Sequence, residues 1–334
     1  MSLRRKSNRN LNNSSGDFYE FRALQQKQAI YELMGELETI LIAGGTGLIG
    51  KDLVKLWRKN GHSVRILSRG EANYEKGIYS WNPDKGELDE KALDGVTVIV
   101  NLAGAGIGDK RWTNKRINEL YTSRIGTTEC LWKHARDSDT LKHYISASGV
   151  VCYGFEDDER LHPETDPFGQ DLLSDITEKW EAAAGLFSSK CPVAKIRTGV
   201  VLSSKGGALK TIAAPIRLGA GTVLGSGKQA MPWIHLYDMV QLYDFVMEHE
   251  LSGPYNALAE NTDNRTLTKT IAKVVKRPLW LPRVPGFVLK AALGKMASVV
   301  LDGLKADNSL IRSKGFEFRF TDLEEALREI YDGN

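Results

Sequence analysis

Cysteine is scarce in this 334-residue chain. Cys130, Cys152 and Cys191 are scattered, form no C-x-x-C and have no His at a metal-binding spacing, which excludes a disulfide scaffold and a structural zinc site. Thiols so placed suit a reducing, cytoplasmic setting. No apolar run is long enough to span a bilayer, so no membrane partner is expected. The first 33 residues, rich in Arg, Asn and Ser and then in Gln, lack the apolar stretch of a secretory signal. They read as an appendage, disordered or a short helix, with Met34 as an alternative translation start. An excess of either charge is missing too. Four of the 45 basic residues, Arg4, Arg5, Lys6 and Arg9, stand in the first nine positions, leaving 41 against 42 acidic ones. Without a recognition motif or aromatic-basic interleaving, no nucleic acid is expected as a partner.

Glycine, by contrast, is placed with a purpose. Residues 40 to 50 read Ile-Leu-Ile-Ala-Gly44-Gly45-Thr46-Gly47-Leu48-Ile49-Gly50, an apolar strand running into glycines ahead of a helix-like stretch. Such a turn lets backbone lie where a Cβ would clash, and aims N–H groups and the positive end of a helix dipole at a pyrophosphate. Gly44, Gly47 and Gly50 satisfy G-x-x-G-x-x-G, while Gly45, Gly47 and Gly50 satisfy G-x-G-x-x-G, so spacing leaves both variants open. Leu48, Ile49, Leu53, Leu56 and Trp57 then recur at helical spacing, Gly61 stops the helix, and Val64 to Leu67 reads as the next strand, completing βαβ.

An NAD site has an Asp or Glu about 20 residues past the glycines, at the end of the second strand. Ser68-Arg69 holds that place, and no acid occurs from Leu53 to Gly70. A cation beside a hydroxyl suits the 2′-phosphate of NADP (NADPH), which is therefore favoured over NAD.

Val96 to Ala103 is a nearly continuous apolar run ending in Gly104-Ala105-Gly106, as in a central parallel strand opening toward a ligand. Gly104 would let backbone lie against the cofactor. A helix from about Asn114 to Ala135, a strand ending in Ser146-Ala147-Ser148, a helix over about 171–188 and a buried strand from Val193 to Leu202 continue the alternation. The fold class is α/β, a doubly wound parallel Rossmann sheet over 39–205 with a smaller C-terminal α/β substrate lobe. That lobe, 206–334, is less regular and sends elements back to the core. It contains a strand at Pro232-Trp233-Ile234-His235 and Asp238 as an expected helix cap.

Further pieces join the glycine turn: Asn101-Leu102-Ala103-Gly104, Lys110-Arg111-Trp112-Thr113, Ser123-Arg124-Ile125, Ser146-Ala147-Ser148 before Tyr153-Gly154, Trp180-Glu181, Arg197-Thr198-Gly199, and Lys314-Gly315-Phe316-Glu317-Phe318. With these the chain resembles the short-chain dehydrogenase/reductase superfamily in its extended, sugar-nucleotide-epimerase-like branch. More narrowly it is similar to epimerase-family proteins with a small C-terminal domain of unassigned role. The resemblance implies a cofactor held by Gly44, Gly45, Thr46, Gly47, Leu48, Ile49 and Gly50, by Ser68 and Arg69, by Leu102, Ala103 and Gly104, and by Thr198 and Gly199. It also implies a small carbonyl or hydroxyl substrate and a monomer or homodimer.

Catalysis is where the chain departs from the superfamily, which pairs a Ser or Thr with Tyr-x-x-x-Lys, the Lys lowering the Tyr pKa. No Y-x-x-x-K occurs anywhere. Counted back from Glu181, the Tyr place falls at Leu173 and the Lys place at Thr177. Ser148 is the best match to the superfamily's catalytic Ser and Ser146 the second. Tyr153, Lys110, Asp109, Arg124 and Glu181 are candidates for a replacement acid or base. Turnover as an NADP-dependent oxidoreductase or epimerase-like enzyme is the leading expectation, and a non-catalytic NADP-sensing protein is the alternative.

Overall fold

Thr39–Ala43 (β1) is apolar after its first residue, and Ile40, Leu41, Ile42 and Ala43 are all buried, a pattern that suits the middle of a sheet covered on both faces. The computed structural model describes residues 37–155 and 160–332, and the reading of residues 1–33 lies outside them. Eight strands form the main sheet in the order β11 (Gly253–Ala257), β8 (Val193–Thr198), β6 (His143–Gly149), β5 (Val98–Asn101), β1, β2 (Ser63–Ser68), β3 (Ile78–Asn82) and β4 (Glu87–Leu88). Every pairing is parallel except that of β3 with β4.

Alternation along the strands sorts the core into two layers. Ile40, Ile42, Val98, Val100, Ile145 and Ala194 face a layer that includes Leu53 and Trp57 of α1 (Leu48–Lys59). Leu41, Ala43, Ile99 and Tyr144 face the other layer, with Leu131 of α3 (Thr127–Ala135) and Ala184 of α4 (Leu172–Gly185). This is the doubly wound sheet, and β1 has β2 on one side and β5 on the other, so the strand order reverses there. A ligand crevice belongs outside the carboxyl ends of those two strands.

Two expected elements are interrupted. The helix over 114–135 is α2 (Asn114–Tyr121), a π-turn at Thr122–Gly126, and α3. There the Thr127 hydroxyl donates to the carbonyls of Ser123 and Arg124, and that of Thr128 to Arg124, giving the backbone an alternative to its regular ladder. The strand over 193–202 breaks at Gly199 into β8 and β9 (Val200–Leu202), because β9 leaves the main sheet to join β10 (Ala230–His235) and β12 (Glu260–Asp263). A Cβ on Gly199 would stand 2.7 Å from the Pro232 carbonyl oxygen.

The range 206–334 is interwoven with the main sheet. It supplies edge strand β11 and helix α6 (Leu236–Glu248), which meets α1 where the Trp57 indole N–H donates to Asp244 at 2.7 Å. Asp238 is not the cap of α6. His235 takes that position, accepting the Tyr237 amide, while both Asp238 oxygens accept backbone amides of Arg319 and Phe320 at 3.0 Å. This clasp holds a run in which Phe316, Phe318 and Phe320 are buried in the main core, ahead of α11 (Leu323–Asp332).

Asp238→Ala leaves two amides near Phe320 without their acceptor and should cost about 1–3 kcal/mol, read as a lower thermal transition with faster proteolysis after residue 314. Acid should weaken the fold as well. The His143 ring is buried, its Nε2–H donates to the Leu251 carbonyl, its Nδ1 has no partner, and burial lowers its pKa from 6.5. The unfolded chain takes up that proton first, so stability is full above pH 6.5 and falls below it. Denaturant titrations at pH 7.5 and 5.5 check this, and His143→Gln should reduce the difference.

Candidate functional site

At the carboxyl end of β1 the chain must turn beside Leu102, which follows β5. Gly44 has φ +83°, and a Cβ there would lie 2.8 Å from the Leu102 carbonyl carbon. A Cβ on Gly50 would lie 2.3 Å from the Gly44 oxygen, so α1 packs directly on the turn. Gly47 is the N-cap of α1, donates its amide to Gly44 at 2.9 Å and makes no side-chain cap; the first turn holds no acid. Gly44, Gly47 and Gly50 thus do the work of G-x-x-G-x-x-G, while Gly45 is buried against Ile42 and Ile66. The amides of Leu48, Ile49 and Gly50 belong to the first helical turn, which has no intrahelical partners for them, and an anion is favoured there.

The rim of this crevice is cationic. Ser68 ends β2 and its hydroxyl accepts the Gly70 amide, while Arg69 is exposed. Across from it, the carboxyl of Glu119 is held below its ordinary range first by a hydrogen bond from Arg116, then by the nearby charges of Arg116, Lys110 and Arg69. Asp109 lies 3.9 Å from Arg116. The loop after β5 and the end of β2 therefore stand close to each other, with no acid at the Ser68-Arg69 position.

Loop geometry after β5 rests on Asn101 and Ser123, for which no separate role was expected, and on Arg124, expected as a candidate acid or base. Asn101 is fully buried; its amide donates to Thr128 and Tyr144, and its oxygen accepts the Ala103 amide. Ser123 accepts the Ala105 amide at 3.0 Å. Arg124 donates to the carbonyls of Leu120 and Ala105 and lies over the Trp180 ring. Burial, and then the charge of Arg116, bring its pKa down to about 10. With its donors on backbone carbonyls, Arg124 shapes the loop beside Gly104.

Ser148 and Tyr153 meet in one buried network. The Ser148 hydroxyl donates to Glu181 at 2.6 Å, and Arg197 grips the same carboxylate through two nitrogens at 2.8 and 3.0 Å. A further Arg197 nitrogen donates to the Tyr153 hydroxyl, which donates to Asn256 at 2.7 Å. Burial raises the Tyr153 pKa, away from what an acid at neutral pH needs. Ser146 donates to the Ala147 carbonyl, lower on the same strand. Glu164 and Asn256 complete the network, with the Glu164 carboxylate accepting the Asn256 amide at 2.7 Å. Neither carries a local motif, so only the tertiary structure identifies them.

Leu173 and Thr177 are buried on α4, and the Thr177 hydroxyl donates back to the Leu173 carbonyl. Leu173 belongs to an apolar cluster with Trp112, Ile176, Val151, Met296 and Val299. Gly149 pairs with Thr198 of the next strand, so Ser148 and Gly149 lie two strand spacings, roughly 10 Å, from β1, and Thr198 and Gly199 about three, roughly 14 Å. The glycine turn, the Leu102–Gly104 segment and the ends of β6 and β8 thus line one edge of the sheet. A separate cleft of about 370 Å³ is lined by Asp238, Asp244, Glu248 and Glu317 and is unsuited to a diphosphate. Among the described residues no His, Cys, Asp and Glu group could hold a metal ion.

Glu181→Gln should destabilise the chain by about 3–5 kcal/mol, because Arg197 is then buried without its counter-charge. Ser148→Ala removes one hydrogen bond to a charged group and should cost about 1.5–3 kcal/mol in a denaturant titration. Loss of that size would assign the hydroxyl to the scaffold; an unchanged midpoint would free it for other work.

Comparison with known proteins agrees with this geometry. Residues 40–257 match the NAD dependent epimerase/dehydratase family, and residues 284–330 match a domain of unknown function, DUF1731. The chain is 33% identical over 298 residues to the epimerase family protein SDR39U1 of Mus musculus, covering 87% of this chain and 99% of that one. It is 34% identical over 297 residues to the epimerase family protein YfhF of Bacillus subtilis, covering 87% and 97%. The crystal structure of human epimerase family protein SDR39U1 (isoform 2) with NADPH superposes with a TM-score of 0.80 at 31% identity, covering 88% of this chain and 99% of that one. A nucleoside-diphosphate sugar epimerase from Corynebacterium glutamicum gives 0.72 at 26% identity, over 93% and 63%. The glycine turn, the reversal of strand order beside it and the C-terminal match together make the chain a member of the NAD dependent epimerase/dehydratase family, an extended short-chain dehydrogenase/reductase.

Proposed function

We propose that the chain is an NADP(H)-dependent oxidoreductase or epimerase-like protein acting on a small carbonyl or hydroxyl substrate. The observation that carries this reading is the turn at Gly44, Gly47 and Gly50, where backbone fills the space of a Cβ on Gly44 and Gly50, the helix start is uncapped and no acid stands at Ser68-Arg69. These residues fit a dinucleotide diphosphate, and Ser68 with Arg69 fits the 2′-phosphate. Leu102, Ala103 and Gly104 would pass along the cofactor, and Thr198 and Gly199 would meet its far end. Bound there, the nicotinamide would exchange a hydride with the substrate carbon. A human relative, 31% identical, has been crystallised with NADPH, which supports the choice of nucleotide.

The chain's own contribution differs from that of a Tyr-Lys enzyme. Leu173 and Thr177 supply no proton, and the Ser148 proton is engaged with Glu181. In this reading the apolar cluster around Trp112 excludes water from the reacting carbon, and Ser148, Ser146 and Tyr153 hold the strand ends in place. The proton then passes between substrate and solvent. The same engagement of Ser148 favours a second reading, a protein that senses NADP(H) without turnover.

Calorimetry with NADPH and NADH tests the nucleotide. The chain should prefer NADPH, and Arg69→Asp should weaken NADPH by about 10- to 100-fold with little loss of NADH, since it removes a charge-assisted hydrogen bond. Equal affinities in both proteins would contradict the placement of the phosphate. Loss of NADPH fluorescence with a panel of carbonyl compounds separates the enzyme from the sensor.

A further inference from the structure

From residue 264 to 301 the chain has eight Lys and Arg and not one Asp or Glu, and residues 182–237 are likewise free of acid. These stretches meet in space. The Trp280 indole N–H donates to the Gly219 carbonyl at 2.9 Å, the Thr222 hydroxyl donates to Pro282, and the Val284 amide donates to Val223. Beyond Pro285 comes α8 (Gly286–Leu293), Gly-Phe-Val-Leu-Lys-Ala-Ala-Leu, an almost wholly apolar helix with no buried residue.

The outer surface of this unit is both apolar and cationic. Leu218 is 85% exposed, Phe287 75%, Trp280 71% and Val288 41%. Arg217, Lys276, Arg277, Arg283, Lys290 and Lys295 are exposed around them. None of the six has a carboxylate partner among the described residues, whereas Lys205 and Lys273 nearby in the chain do. Large apolar side chains left in water beside unpaired cations mark an interaction surface.

We propose that this face binds the surface of an anionic lipid bilayer. Trp280, Phe287, Val288 and Leu218 would enter the boundary between headgroups and acyl chains while the surrounding cations meet lipid phosphates. The indole hydrogen bond to Gly219 already satisfies the one polar atom of Trp280, leaving its ring free to be buried. A two-fold contact with a second copy would set the same unpaired cations against one another. Nucleic acid would use the cations and the rings, but not the aliphatic surface of α8. No described helix is long and apolar enough to cross a membrane, and a peripheral contact needs none. Past α8 the segment runs through Met296 and Val299 into the cluster that holds Trp112 and Leu173, so docking would bring the edge of the candidate site to the lipid.

Flotation of the full chain with phosphatidylcholine vesicles, with and without phosphatidylglycerol, tests this. Binding is expected only to the anionic vesicles and should weaken as salt is raised. Arg283→Glu with Lys290→Glu, and separately Leu218→Ser with Phe287→Ser, should each lower partitioning at least tenfold with an unchanged thermal transition, since every one of these sites is exposed. Failure of the wild type to float with anionic vesicles at low salt would overturn the proposal. So would variants that float like the wild type, binding to RNA in place of vesicles, or a dimer that Phe287→Ser dissociates in the absence of lipid.

Discussion

Two stretches of backbone approach each other at Gly44 and Leu102 with no room for a side chain between them, and the rest of the candidate site is arranged around that contact. It stands where the strand order reverses, so the carboxyl ends of β1 and β5 diverge above it and leave a crevice. Packing of Gly50 against Gly44 brings the start of α1 into the same space. A helix start without a capping side chain or an acid leaves its positive potential for a ligand.

Toward β6 and β8 the design changes from open backbone to a saturated polar network. Glu181 and Arg197 are each almost wholly buried, and their pairing is joined by Ser148, Tyr153 and Asn256. Such a network fixes geometry, because its buried donors and acceptors are engaged with one another and each partner would be costly to strand. Arg197 shows the balance. Burial works against its charge, and the hydrogen bonds it donates to Glu181 outweigh that, so its pKa stays above the ordinary arginine value. Leu173 and Thr177, at the places counted back from Glu181, are one apolar and one turned onto its own helix.

Much of the fold was legible because its signals are local. Contiguous residues make the glycine turn, and the alternation of Ile40, Leu41, Ile42 and Ala43 between two layers follows from strand geometry alone. Asp238 was misread because an acid at the start of a helix looks like a cap; its partners, Arg319 and Phe320, lie some eighty residues away. Ser148 was legible as a strand-end hydroxyl, but its engagement was not, since Glu181, Arg197 and Asn256 come from three other elements. Gly199 looked like one residue within a strand, and only the presence of Pro232 beside it explains the break. The choice between the two glycine patterns also needed coordinates, which give Gly45 to core packing and Gly44 to the turn.

The C-terminal segment ties these parts together. Its aromatic run enters the main core, and Met296 and Val299 close over the apolar cluster at the strand ends. A nucleotide bound along this edge touches backbone amides, so the most direct measurement is hydrogen–deuterium exchange with and without NADPH. The account predicts slower exchange across residues 44–50 and 102–106, with the amides of Leu48 to Gly50 among the most protected. Binding of NADPH that leaves exchange in both segments unchanged would contradict it.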